Sequence, residues 1–217
     1  GRMPVLEIVN DRFARLCTNA LSNSVRKRVE LNPISIDMTK FGEFMRSLPV
    51  PTSINIFKMD PLRGNAIMVV DSRLVFALVE NVFGGAGTQP KIEGREFTPT
   101  ELRVVRMVLD QAFVDMKEAW HAVLDINFEY INSEVNPALA NIVSPSEVVV
   151  VSTFHIELDG GGGDFHVAMP YSMLEPIREL LDAGVQSDKG DTDVRWSKAL
   201  RDEIMDVKVE LKAKLLE

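Results

Sequence analysis

Cysteine is almost missing from this sequence: Cys17 stands alone, so no disulfide can close within the chain, a pattern that fits a reducing compartment. Cys17 falls in a helical pattern and reads as a packing residue, not a nucleophile. Long apolar runs are missing too. Val148 to Val151 and its like are far too short to cross a bilayer, and nothing at the start combines a basic and an apolar region as a secretory leader would. No membrane insertion and a cytoplasmic location are the expectations. Positive charge is scarce: 24 Lys and Arg face 32 Asp and Glu, for a net charge of −8. That balance argues against nucleic acid as a partner, because phosphate backbones demand concentrated cations. The one dense basic stretch, Arg26 to Arg28, falls where a first helix ends and cations meet the helix dipole favourably. What is present is apolar content, 46% of 217 residues, enough for a substantial core.

Local patterns divide the chain into elements. Leu6, Val9, Phe13, Leu16 and Ala20 form one stripe of an amphipathic helix, with Asp11, Arg12, Arg15, Thr18 and Asn19 on its other face. Two extended patches flank a short helix expected near Phe41 to Ser47, and Pro49 and Pro51 discourage its continuation. "INIFKMDPLRGNAIMVV" reads as a hairpin turned by Asp60, Pro61 and Gly64. A helix follows, capped by Asp71 or Ser72, burying Leu74, Val75, Leu78, Val79 and Val82, and stopped by Gly84. The next carries a capping box, Thr98 with Glu101, and Pro99 at its first position. Its stripe is Leu102, Val105, Leu109, Phe113, Met116 and Trp120. "INFEYINSE" and "SEVVVVSTFHIEL" read as strands, the latter turning through Asp159 to Asp164 into "FHVAMP".

The two halves repeat at an offset of about 99 residues. "GNAIMVVDSRLVFALVENVFGG" matches "GDFHVAMPYSMLEPIRELLDAG", with a second capping box expected at Ser172 and Glu175 and a stop at Gly184. Phe13, Leu16 and Ala20 correspond in turn to Phe113, Met116 and Trp120. The spacing predicts two helix, strand, hairpin, helix units around a pseudo-twofold axis, an α+β fold for which mixed α/β is an acceptable label. Residues 4–184 form that domain. From Val185 the composition turns polar and reads as a linker over 185–194, and 195–217 is too short to bury a core alone.

One glycine suffices to end a helix, since a left-handed residue there satisfies orphan carbonyls. "FGGAG" supplies Gly84, Gly85 and Gly87 around Ala86, leaving bare backbone that suits either a tight turn or close approach by another surface. A phosphate-cradling loop fits poorly, because the Lys-Ser/Thr of a Walker motif is missing and the glycines follow a helix instead of opening one.

The segments "NDRFARL", "SLPVPTS", "PLRGNA", "FGGAG", "IEGREFTPTE", "KEAW", "SEVNPALANIVSPSEVVVVSTFHIEL", "GGGGDFHVAMPYSMLEPIRELLDAG" and "VKVEL" resemble, in order, the middle domain of the flagellar motor switch family FliM. The resemblance implies a CheC-like fold and a non-enzymatic structural and signalling role in the cytoplasmic ring at the flagellar basal body, relaying CheY-dependent control of rotation. It implies that Gly84, Gly85, Ala86 and Gly87 meet FliG, with Asn81, Phe83 and Lys91 as neighbours. Ring contacts between FliM copies fall by the same analogy on Asp11, Arg15 and Asn19. FliN would be reached through a C-terminal domain of which residues 195–217 are only the start. Phosphorylated CheY would be met mainly through an N-terminal peptide expected to precede this excised domain.

The resemblance also raises an alternative, a CheC-type phosphatase of phosphorylated CheY. Relatives of that kind use a helical Asp/Ser-x-x-x-Glu-x-x-Asn pattern, in which an acid anchors the target and an amide orients water. Glu118 is followed by His121, with Val114 before it; Glu7 and Asn10 have the spacing, but Met3 precedes them. Half a motif reads as solvated helix acids. No cofactor is expected. If the loop of the last hairpin is Asp159 to Gly162, His155 and His166 face each other beside Glu157 and Asp164, a set that could hold zinc or nickel adventitiously. Without a further strong ligand it reads as a polar sheet face, and no metal is expected.

Overall fold

The computed structural model describes residues 3–84, 96–182, 210 and 212–214. Helix α1 (Pro4–Val25) leads to strand β1 (Glu30–Lys40), the short helix α2 (Phe41–Arg46), the hairpin β2 (Ser53–Asp60) and β3 (Asn65–Val70), and helix α3 (Ser72–Phe83). The series then repeats as α4 (Pro99–Trp120), β4 (Asn127–Glu134), a 3-10 turn at Pro137–Leu139, the hairpin β5 (Val148–Leu158) and β6 (Gly161–Pro170), and the pieces α5 (Tyr171–Leu174) and α6 (Arg178–Asp182). Fold class and internal repeat are therefore as the sequence predicts.

The six strands form one antiparallel sheet in the order β1-β5-β6-β3-β2-β4. Exchanging β1 with β4, β2 with β5 and β3 with β6 reverses that order and leaves it otherwise unchanged, which is what an internal twofold between β3 and β6 requires. Each edge strand even carries its extra, unpaired residue at a matching place, Ile34 in β1 and Ile131 in β4.

Alternation along the strands sends side chains to two unequal cores. Phe57, Met59, Met68, Phe154, Phe165 and Val167 face the layer of α1, α3, α4 and α6. Ile54, Ile67, Val69, Val149 and Val151 face a smaller cluster closed by Phe41, Phe44 and Met45 of α2. Phe13 of α1 meets Phe154 edge-on at 5.3 Å, and Phe113 of α4 meets Phe57 at 5.1 Å, so each long helix reaches the sheet through a phenylalanine ring.

Local chemistry sets the helix ends. Thr98 Oγ1 accepts from the Glu101 amide and the Glu101 carboxylate accepts from the Thr98 amide, closing the expected capping box. Asp71 caps α3, and Gly84 ends it in the left-handed region at φ 68°. The second capping box does not form. Ser172 lies inside the four-residue α5, which breaks at once into a 3-10 turn through Pro176, and no side chain caps it. Proline deprives that turn of an amide. Gly184 lies outside the described residues.

The long helices also correspond differently from the aromatic match. Val5, Leu6, Asn10, Ala14, Cys17 and Leu21 are buried, and their partners about 99 residues on, Val104, Val105, Leu109, Phe113, Met116 and Trp120, are buried too. Leu16 and Ala20 are only half-buried, and Leu102 is exposed. Both helices lie between a sheet and another helix, so two flanks are covered and the apolar face is broader than a single stripe.

Candidate functional site

The glycine segment begins where α3 ends. Leu74, Val75 and Leu78 hold α3 on the sheet, and close approach is possible because Gly163 of β6 lies beneath it: a Cβ there would stand 2.9 Å from Leu74 Cβ. Past Asn81 the helix leaves the core. Val82, expected in the buried stripe, is exposed, and Phe83 is 64% exposed. Among the described residues, a Cβ built on Gly84 meets nothing within 4 Å. Gly84 and Phe83 thus share an open, partly apolar helix end.

Asn81, which the resemblance implies as a neighbour of the same contact, points inward. It is 7% exposed, and its Nδ2 donates to Ala77 O at 2.7 Å and to Asp159 O at 3.4 Å. That second bond ties the end of α3 to the turn between β5 and β6. Its Oδ1 is buried without a donor among the described residues. Helical periodicity predicts Val82 inward, whereas in the structure Asn81 takes the inward position, where the neighbouring turn gives it a carbonyl to bind. Gly85, Ala86, Gly87 and Lys91 lie outside the described residues. Asp11, Arg15 and Asn19 are all exposed along one line of α1.

The polar face of the last hairpin has a different register from the one expected. Its loop is the two-residue turn Asp159–Gly160, with Leu158 opposite Gly161. Gly160 has φ +82°, a conformation that shortens the loop at little steric cost. His155 therefore faces Asp164, and His166 faces Thr153. The two histidines are not paired.

His155 lies with Nδ1 2.6 Å from Asp164 Oδ1 and Nε2 2.7 Å from Glu157 Oε2. Both ring nitrogens donate when protonated, so these carboxylates raise its pKa. His166, against Phe44 and 2.8 Å from Thr153 Oγ1, has its pKa lowered, chiefly by burial. The signs are opposite. Stability from His155 is complete below the ordinary histidine value and fades as pH rises through its raised pKa; stability from neutral His166 is complete above that value and is lost as pH falls through its lowered one. Proton NMR of the two imidazole rings should give midpoints on either side of about 6.5; coincident midpoints would contradict this assignment.

No group of three or more His, Cys, Asp or Glu among the described residues is arranged to hold a metal ion. Cys17 is buried, and burial together with neighbouring Asp115 pushes its thiol pKa far up, so it is no thiolate nucleophile. Asn10, half of the possible phosphatase pair, donates its amide to Ser152 Oγ at 2.9 Å in the interior. His121 binds Asp125 at 2.6 Å beside exposed Glu118. The buried Asn10–Ser152 tie could not be read from sequence, because its partners are 142 positions apart.

Paired helices on a pseudo-twofold antiparallel sheet define a CheC-like α+β domain. The family model of the flagellar motor switch protein FliM matches residues 1–185. The chain belongs to the FliM family. It is 66% identical over 213 residues to the flagellar motor switch protein FliM of Pseudomonas aeruginosa, covering 98% of this chain and 66% of that relative. It thus spans just under two thirds of that relative's length. Among solved structures it resembles the FliM middle domain of Vibrio alginolyticus, with 56% identity, a TM-score of 0.76, and 82% of this chain and 100% of that one covered. The H. pylori FliG–FliM complex contains a chain that is 27% identical with a TM-score of 0.75, covering 81% of this chain and 96% of that one.

Proposed function

We propose that this chain is a non-catalytic docking and signalling module of the flagellar motor switch, binding a FliG-type partner through the end of α3 and the glycines that follow it. The observation that carries the reading is Phe83, a large aromatic 64% exposed beside a left-handed glycine that no described residue crowds. Exposed aromatics beside bare backbone suit protein docking, because the ring supplies buried area and the glycine admits close approach. Gly85, Ala86, Gly87 and Lys91 extend the proposed contact along the chain. A FliM chain of H. pylori crystallised with FliG supports the choice of partner.

In the same reading, Asp11, Arg15 and Asn19 meet neighbouring copies in a ring on the cytoplasmic side of the basal body. FliN and phosphorylated CheY act on the assembly through segments outside the domain 4–184, which relays their control of rotation.

The test is direct. Purified FliG mixed with this chain should give a light-scattering mass equal to the sum of the two. Separate masses at concentrations of about 100 μM would end the reading, since a specific interface of ordinary size binds more tightly than that.

A further inference from the structure

Two segments cross the sheet on the face opposite α1, α3 and α4, and they differ in kind. The first joins β1 to β2 and contains α2; the second, residues 135–147, joins β4 to β5. The Gly42 amide donates to Pro145 O at 2.9 Å, near the start of the first segment and the end of the second, while the Thr52 amide donates to Val135 O at 3.3 Å at their opposite ends. The two therefore run antiparallel, as the twofold requires. The first coils into a helix that sends Phe41, Phe44 and Met45 into the smaller core. The second holds Pro137 and Pro145, which offer no amide to a helix, and forms a 3-10 turn in place of one.

A flat crossing beside a helix leaves space between them. The groove there has a volume of about 370 Å³, with Met45, Leu48 and Val50 on one wall and Pro137, Ala138 and Pro145 on the other. Gly42 draws the walls together at one end, where a Cβ would stand 2.9 Å from Pro145 Cβ, and Val50, towards the other, is 64% exposed. Among the described residues, Arg46 is the only charged group of this lining. Its Nη1 bends back over α2, 3.3 Å from the place a Gly42 Cβ would occupy, and it makes no ion pair among the described residues. In a chain with 32 Asp and Glu against 24 Lys and Arg, a cation without a carboxylate beside an apolar groove is a charge that an outside acid would complement.

We propose that this groove docks an extended segment of a partner protein in which a bulky aliphatic or aromatic side chain adjoins a carboxylate, the side chain lying between the two apolar walls and the carboxylate on Arg46. Size and charge argue for each part. A volume near the lower end of the roughly 300–1,000 Å³ usual for ligand sites takes one or two side chains and not a whole helix. The planar donors of a guanidinium match a carboxylate in bidentate fashion, whereas a phosphate brings a second charge that a lone guanidinium does not neutralise. Asn136 serves the main chain: its Oδ1 accepts from the Ala138 amide at 3.0 Å, and its Nδ2, without a partner among the described residues, is a donor for a carbonyl of the docked segment. The groove and the end of α3 lie on opposite faces of the sheet, so this site does not depend on the docking proposed there.

The test is an amide NMR titration of the whole chain at low salt with acetyl-Gly-Leu-Phe-Asp-Gly amide, and with two control peptides that carry Asn for the Asp or Ser for both Leu and Phe. The Asp peptide should shift the signals of Arg46, Val50, Ala138 and Asn141, and each control should bind at least about fivefold more weakly. Arg46→Gln, a replacement at an exposed position, should weaken the Asp peptide at least about fivefold and leave the Asn peptide as it was. Ala138→Trp, at an exposed position of the wall, should abolish the shifts by filling the groove. Should that variant fail to fold, Val50→Ser takes its place and should weaken the Asp peptide at least about threefold. Tighter binding of the corresponding phosphoserine peptide would assign the site to phosphate and overturn the carboxylate. Equal binding of the Asp and Asn peptides, binding indifferent to Arg46→Gln, or no shift at about 5 mM Asp peptide would overturn the proposal as well.

Discussion

Phe83→Ala is expected to weaken binding of a FliG-type partner on the order of 30- to 1000-fold while leaving thermal unfolding and circular dichroism unchanged. An aromatic anchor truncated at the centre of an interface loses about 2–4 kcal/mol. The same ring contributes little to folding here, because it is 64% exposed and lies beyond the last core contact of α3. Binding and stability therefore separate at this residue. Leu139→Ala is the control, another exposed apolar side chain, placed in the 3-10 turn after β4; it should bind as the parent does. Titration calorimetry of both variants decides the matter, and equal affinities for them would remove Phe83 from the interface.

The second large effect concerns the fold. Phe57→Ala and Phe154→Ala should each destabilise the domain by about 3–5 kcal/mol, a large fraction of the 5–15 kcal/mol that usually separates folded from unfolded states. Both rings are essentially fully buried. Phe154 stacks on Phe165 at 4.9 Å and receives Phe13 edge-on; Phe57 touches Phe113 and lies 6.0 Å from Phe128. The twofold makes them counterparts, so similar losses are expected from the two halves. Urea unfolding measures both, with an unchanged slope if the denatured state is unaffected. A loss below about 1 kcal/mol at one position, with a large loss at the other, would show that the halves do not pack equivalently.

A hydrogen bond joins the proposed docking end to the tip of the polar hairpin. Asn81 holds the carbonyl of Asp159, and the turn at Asp159–Gly160 closes the strands that carry His155 and His166. The end of α3 is thus positioned from two sides, by its own core residues and by the tip of a hairpin from the other half of the molecule. Phe83 projects from a fixed helix and not from a freely moving chain, which lowers the ordering entropy that docking must offset.

Sequence alone determined what depends on neighbours a few positions away. The capping box at Thr98 and Glu101, the proline opening α4 and the glycine stop at Gly84 act within a turn or two and formed, whereas the equally local box expected at Ser172 and Glu175 gave way to the turn through Pro176. The repeat was legible as well, since two copies of one pattern carry the same local signals. Tertiary structure decided the rest. Which strands share the centre of the sheet, the hairpin register that separates His155 from His166, the inward turn of Asn81, and the groove beside α2 each depend on residues far apart in sequence. Local propensity leaves such choices nearly degenerate. They are resolved only when the chain closes long loops and the two halves bury their faces against each other.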